Sequence, residues 1–188
     1  MGFDVLSYAI GLQAGKESGG GEIDTTQIDS ILDEINGEIV GELVLAQGFC
    51  GDSARYLLKD SGLLTISGSG EITSNPWENV ENHETIIKKV VIEEGITSIT
   101  VGTFNGLDKL KEVTIPASVT HIYELAFGSC DLLTRVVFEN TNNWKCFDSV
   151  SPIPIKTFTS AELKDPATAA TYLADWNNGY SRYRWIRS

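Results

Sequence analysis

Few side chains in this sequence have the types and spacing that catalysis or metal binding requires. The two histidines, His83 and His121, are too far apart to form a pair on one element. The three cysteines, Cys50, Cys130 and Cys146, form no C-x-x-C pair, so they predict buried free thiols, not a zinc site or a disulfide framework. No hydrolase, zinc-protease, phosphate-loop or dinucleotide motif is present. We therefore expect no cofactor, no metal and no enzymatic activity.

A more informative pattern is a period of 23 residues between Ile87 and Phe138. Apolar side chains recur at equivalent positions, which are Ile87, Leu110 and Leu133; Val90, Val113 and Val136; Ile92, Ile115 and Phe138; Ile96 and Val119; Ile99 and Ile122; and Phe104 and Phe127. Such a period is typical of stacked units that bury their apolar sides against each other. Repeat proteins of this kind mostly bind other molecules.

Strand alternation predicts which repeat residues form an outward face. Residues 90 and 92 and their equivalents point into the core, and the residues between them point outward. The outward candidates for binding form rows across the strands, which are Lys89, Glu112 and Arg135; Val91, Thr114 and Val137; and Glu93 with Glu139 at the rim. Two interpretations are open: a solvated charge ladder, worth a few tenths of a kcal/mol per pair, or a shallow ligand face.

The residues that flank the repeats have the patterns of end caps. Residues 55–58 and 63–68 have strand character and are joined by a turn containing Gly62, which predicts a β-hairpin. His121 occupies the slot that matches Ser98 in the preceding repeat, and we expect this slot to be exposed to solvent.

The C-terminal segment predicts a helix followed by a last strand. Asp165 and Pro166 suit the cap and first position of a helix, which we expect over residues 167–176. The tail after it alternates aromatic and basic side chains, which are Tyr180, Tyr183, Trp185, Arg182, Arg184 and Arg187. They suit either a strand that buries its aromatic side on the repeats or stacking on a glycan or nucleic acid.

Charge and hydropathy exclude several classes of partner. The 188 residues include 26 acidic and 14 basic side chains, for a net charge of −12. This balance argues against nucleic acid or an anionic membrane as a partner, because both require clustered Lys and Arg. No apolar run approaches the length of a membrane span, and the first residues lack the basic region of a secretory signal.

Residues 1–48 have a different character from the rest of the chain. Residues 1–22 form an apolar arm followed by a glycine hinge, and the apolar candidates for anchoring are Phe3, Leu6, Tyr8, Ile10 and Leu12. Residues 23–48 predict an acidic amphipathic helix with an apolar stripe, which comprises Ile28, Ile31, Leu32, Ile35 and Ile39. The stripe either packs on the chain's own domain or associates with other copies, which would make the protein a homo-oligomer.

The repeats resemble the BspA-type leucine-rich repeat family over residues 50–139. The second copy, LKEVTIPASVTHIYELAFGSCDLL, contains nearly the whole pattern of that family, and the first, IKKVVIEEGITSITVGTFNGLDKL, keeps its apolar positions. The preceding CGDSARYLLKDSGLLTISGSGEITSNPW is similar to the family's N-terminal cap. The sequence thus predicts an α+β fold: a short, β-rich leucine-rich-repeat solenoid of two repeats plus caps, with an N-terminal arm and an amphipathic helix. The head spans residues 49–188, with caps over 49–86 and 140–188 and repeats over 87–139.

Both termini resemble phage proteins to a smaller extent. The segments FDVLSYAIGLQAGKESGGG and DPATAATYLADWNNGYSRYRWIRS look like parts of tail-fibre or capsid-associated proteins. This resemblance implies a non-enzymatic virion protein of the phage head or tail, whose arm binds a capsid or tail protein. Its repeat head would serve decoration or adhesion to a host-surface protein or glycan. The alternative is a bacterial leucine-rich-repeat adhesin or protein-interaction module at the cell surface.

Overall fold

The computed structural model describes residues 43–148, 150–177 and 179–188. The predicted anchoring residues (3–12) and the apolar stripe (28–39) lie outside the described residues. The strands are β1 (Val44–Phe49), β2 (Ser53–Lys59), β3 (Leu63–Ile72), β4 (Lys89–Ile92), β5 (Ile96–Ile99), β6 (Glu112–Ile115), β7 (His121–Ile122), β8 (Arg135–Phe138), β9 (Trp144–Phe147), β10 (Pro154–Thr157) and β11 (Arg184–Arg187). Helical segments are a 3-10 turn (Pro76–Asn79), α1 (His83–Ile86), α2 (Ser160–Lys164) and α3 (Pro166–Ala174). None of these helices is long and apolar enough to cross a membrane.

The long strand β3 belongs to two sheets, which we call sheet A and sheet B. In sheet A, β3 pairs with β2 and with β4, and the parallel strands β6 and β8 follow; β1 extends the sheet beyond β2. In sheet B, the end of β3 pairs with β5, and β7, β11, β9 and β10 follow in that order. A glycine stands where β3 changes sheets, because Gly68 has a φ of +93° and a side chain there would meet the Ser53 carbonyl oxygen.

Parallel pairing places equivalent residues of successive repeats side by side. Val90 lies opposite Val113, and Val113 lies opposite Val136. In sheet B, Ile99 is likewise opposite Ile122. All five side chains are buried. The structure is therefore a strand-rich stack of repeats, as the period predicts.

Stacked aromatic rings connect the N-terminal cap to the repeats. The rings of Trp77 and Phe104 are nearly parallel with centroids 5.4 Å apart, and those of Phe104 and Phe127 follow at 5.1 Å. Tyr56 packs edge-on against Trp77 at 5.7 Å. Trp77, Phe104 and Phe127 are fully buried, so their rings pack the cap against the first repeat and the first repeat against the second.

A second aromatic cluster closes the other end. Trp185 of β11 stacks on Phe158 at 4.2 Å and lies edge-on to Trp144 at 6.4 Å. The predicted burial of the aromatic side of the tail is confirmed, because Trp185 is buried and Tyr180 and Tyr183 pack against the core. The structure favours the capping interpretation of the tail.

The helices of the C-terminal cap begin at recognisable capping residues. Thr159 and Glu162 form a capping box at the start of α2, and Asp165 caps α3 with Pro166 at its first position, as predicted. Helix α3 ends at Ala174, earlier than the predicted residue 176. The reason is that Asp175 is extended and the chain returns across the end of the helix, where Tyr180 N donates to Tyr172 O.

Two predictions from the sequence were wrong. Residues 44–49 are the strand β1 and not part of a helix over residues 23–48, so the head begins before residue 49; hydrogen bonding to β2 decides their conformation. The Ser98 slot is not exposed. Sheet B shifts register between Ile96 and Ser98, which turns Thr97 outward and leaves Ser98 4% exposed. His121 is half-buried, and its Nδ1 lies 2.9 Å from Thr120 Oγ1.

Truncating the central ring of the stack should destabilise the whole head. We expect Phe104→Ala to lower the free energy of unfolding by about 3–5 kcal/mol, because it leaves a cavity between Trp77 and Phe127. Val101→Ala, at a side chain that is 62% exposed, is the control and should change it little. Urea unfolding of both variants measures this, and equal effects would contradict the account.

The carboxylate of Glu162, in the C-terminal cap, makes the stability of the head depend on pH. Glu162 accepts hydrogen bonds from Lys156 Nζ (2.6 Å), Thr159 N (2.7 Å) and Thr159 Oγ1 (2.8 Å), which lower its pKa from 4.5 to about 2, with the Lys156 bond as the largest cause. Folding lowers the pKa of Glu162, so the ionised carboxylate stabilises the folded head. This stabilisation is complete above about pH 4.5 and is lost as the pH falls towards 2.

We expect the Tm of Glu162→Gln to fall less than that of the wild type between about pH 6 and about pH 3. Thermal melts at several pH values measure this. Glu139→Gln, at an exposed position, is the matched control and should keep the wild-type pH profile. A Glu162→Gln profile parallel to that of the wild type would show that the carboxylate does not contribute.

Candidate protein-binding face

Five uncharged side chains form a continuous line across the outer side of sheet A, which we call the outer row. Direct pairing runs from Leu57 to Thr65, then to Val91, Thr114 and Val137. All five are half-buried. Neighbouring strands are about 4.8 Å apart, so the row is about 19 Å long.

The alternation of the strands sets the outward direction of the row. On β4, Val90 and Ile92 are buried while Lys89 and Val91 are only partly covered, and β6 has the same pattern. This placement agrees with the sequence analysis, which put residues 89, 91 and their equivalents outside.

A ladder of charges borders the outer row on one side. Glu112 Oε1 lies 3.1 Å from Lys89 Nζ and 3.6 Å from Arg135 Nε, so one carboxylate serves two cations on the neighbouring strands. These side chains are 31–55% exposed, and exposed pairs of this kind contribute about 0.2–1 kcal/mol. The solvated ladder inferred from the sequence is therefore present for this row.

Acidic residues lie at the other border. Glu93 and Glu139 are exposed and directly follow β4 and β8. Next to them, the Glu94 carboxylate accepts hydrogen bonds from Ala117 N at 2.8 Å and Ser118 N at 3.1 Å, which fixes the loop after β6. The outer row is thus an uncharged strip between a mixed ladder and an acidic rim.

Leu57 and Thr65 extend the face and were missed in the sequence. The hairpin that carries them was predicted, but the 23-residue period does not include it. Its register against β4 could have been inferred from the alternation of residues 63–66, because Leu64 and Ile66 are buried like Val90 and Ile92. With that register, Thr65 falls beside Val91.

The remaining reactive groups are withdrawn from solvent. Burial raises the pKa of Cys50 to about 11 and that of Cys130 and Cys146 to about 12, so these thiols stay protonated and inert. Cys130 Sγ also contacts the Phe104 carbonyl oxygen at 3.1 Å. Within the described ranges, no cluster of His, Cys, Asp and Glu has the arrangement of a metal site.

Reversing the central charge of the ladder should weaken the head in a salt-dependent way. Glu112→Lys would place three cations in one row, and we expect it to lower the free energy of unfolding by about 1 kcal/mol at low ionic strength. Adding salt should recover most of the loss by screening. Glu93→Lys, at the exposed rim, is the control and should cost less. A loss that does not respond to salt would show that Glu112 acts through packing.

The repeats lie within a match to a known protein family. Residues 78–165 match the family described as BspA type Leucine rich repeat region (6 copies). A crystal structure of a leucine-rich repeat protein from Eubacterium ventriosum ATCC 27560 matches at 28% identity and a TM-score of 0.45, over 50% of this chain and 26% of that one. This chain therefore spans about a quarter of that protein. No curated protein matches.

Proposed function

We propose that this protein is a leucine-rich-repeat interaction module that binds another protein through the outer row of sheet A. The observation that supports the proposal most is the continuity of the row, from Leu57 to Val137, across five strands of one sheet. An uncharged strip between charged borders matches the usual anatomy of an interface, which has an apolar centre and a polar rim.

The chemistry of the face indicates what a partner must offer. Aliphatic or aromatic side chains would cover Val91 and Val137, and hydroxyl or amide groups would bond Thr65 and Thr114. Lys or Arg would face Glu93 and Glu139 at the acidic rim. A nucleic acid does not fit, because its phosphates would lie against these carboxylates.

The module could be attached to a cell surface or to a virion, and its binding face would be the same in both cases. The interaction role is supported by the repeat region. A location at the cell surface stays a prediction. The virion role rests on the resemblance of both termini to phage proteins and on the predicted anchoring arm, residues 3–12, and it stays a prediction. In both roles the outer row is the part that recognises the partner.

Photo-crosslinking in the organism that encodes the chain tests the proposal. A photoreactive phenylalanine analogue at Thr114, in the outer row, should give a specific protein adduct on irradiation. The same analogue at Val101, which is exposed and lies outside sheet A, should not give that adduct. Mass spectrometry identifies the adducts.

A second variant distinguishes an adduct that depends on binding by the outer row from one that forms by chance collision. Val91→Lys places a charge beside position 114 without touching the core, and it should remove most of the Thr114 adduct while circular dichroism stays unchanged. Identical adducts from both positions, or no loss with Val91→Lys, would contradict recognition by the outer row.

A further inference from the structure

In the described part of the chain, the two sheets end at three strands, which differ in how their outer edges are protected. The edge of β8 is covered, because α2 and α3 pack against that strand. The edge strand β10 contains Pro154 and Lys156, residue types that discourage pairing with another strand. The edge strand β1 has the sequence VLAQGF, with neither proline nor charge, and among the described residues it pairs only with β2.

Several large apolar side chains on and beside β1 are exposed. Leu43 is 63% exposed, Val44 43%, Leu45 38% and Phe49 57%. Arg55 lies over one face of the Phe49 ring at 4.3 Å and leaves the rest of the ring open. Repeat proteins usually protect their terminal units with a polar outer surface, so an apolar end indicates an interface.

We propose that β1 pairs in antiparallel fashion with β1 of a second copy of this chain, so that two heads form one continuous sheet. A two-fold axis places the same strand against itself, and this is favourable only when the strand carries no charge. β1 meets that condition, whereas β10 paired in this way would bring two copies of Lys156 close together. The pairing would also cover Val44, Leu45 and Phe49 with the same residues of the second copy.

Charge outside the strand opposes this association and limits its strength. The chain carries a net charge of −12, so two copies repel each other at low ionic strength. At physiological salt the Debye length is about 8 Å, so dissolved ions screen most of that repulsion. The backbone hydrogen bonds between the two β1 strands act at short range and are not weakened. We therefore expect a dimer that strengthens as salt is added.

Light scattering and sedimentation of the full-length chain over a range of concentrations test the proposal. The wild type should approach twice the monomer mass of 20.5 kDa. Leu45→Lys and Phe49→Lys, both at exposed positions of β1, should weaken the dimer about tenfold or more, because each puts a charge in place of an apolar side chain that the pairing would cover. Ile155→Lys, at a side chain that is 47% exposed on β10, is the matched control and should leave the dimer intact.

A cysteine cross-link gives a second measurement that does not depend on destabilising variants. Gln47→Cys should form a disulfide-linked dimer under mild oxidation, since Gln47 is exposed near the middle of β1, while Ile155→Cys should not. The native thiols are buried and do not interfere. A wild-type monomer at all concentrations, a dimer that survives Leu45→Lys and Phe49→Lys, or equal cross-linking from both cysteine variants would each overturn the proposal.

Discussion

The structure depends on the parallel pairing of each repeat with its own equivalent in the next one. Because Val90 lies opposite Val113, and Val113 opposite Val136, each inward position must accept a side chain of the same kind at every level. The aromatic stack of Trp77, Phe104 and Phe127 follows the same rule on another side of the unit. A repeat has no core of its own, so the units are stable only when this register is kept and both ends are closed.

The same register creates the outer surface. When the inward side chains pair level by level, the side chains between them must also form rows, and this puts Val91, Thr114 and Val137 in line. The cap strands β2 and β3 join the register and lengthen the row to Leu57. The same strand register therefore produces both the outer face and the buried core. A slip of one residue would bury the charges of the ladder and expose the core together.

The repeat strands, their buried positions and the direction of the outward residues could be predicted, because a period and an alternation encode them directly. The start of α3 could be predicted for a similar reason, since Asp165 and Pro166 act locally. The strand β1 could not, because its conformation depends on pairing with β2 and not on its own pattern. The burial of Ser98 was missed because a register shift in sheet B interrupts simple alternation. The contribution of Leu57 and Thr65 depends on how the cap docks on the first repeat, which no repeat period contains.

The central claim is that the outer row exists in solution as one line of adjacent side chains. Nuclear Overhauser contacts between methyl groups of the labelled full-length chain measure this directly. The account predicts cross-peaks in sequence from Leu57 to Thr65, Val91, Thr114 and Val137, with each methyl group touching the next strand. Cross-peaks that link Val91 to residue 113 or residue 115 and not to Thr114 would show a different register, and the proposed binding face would not exist.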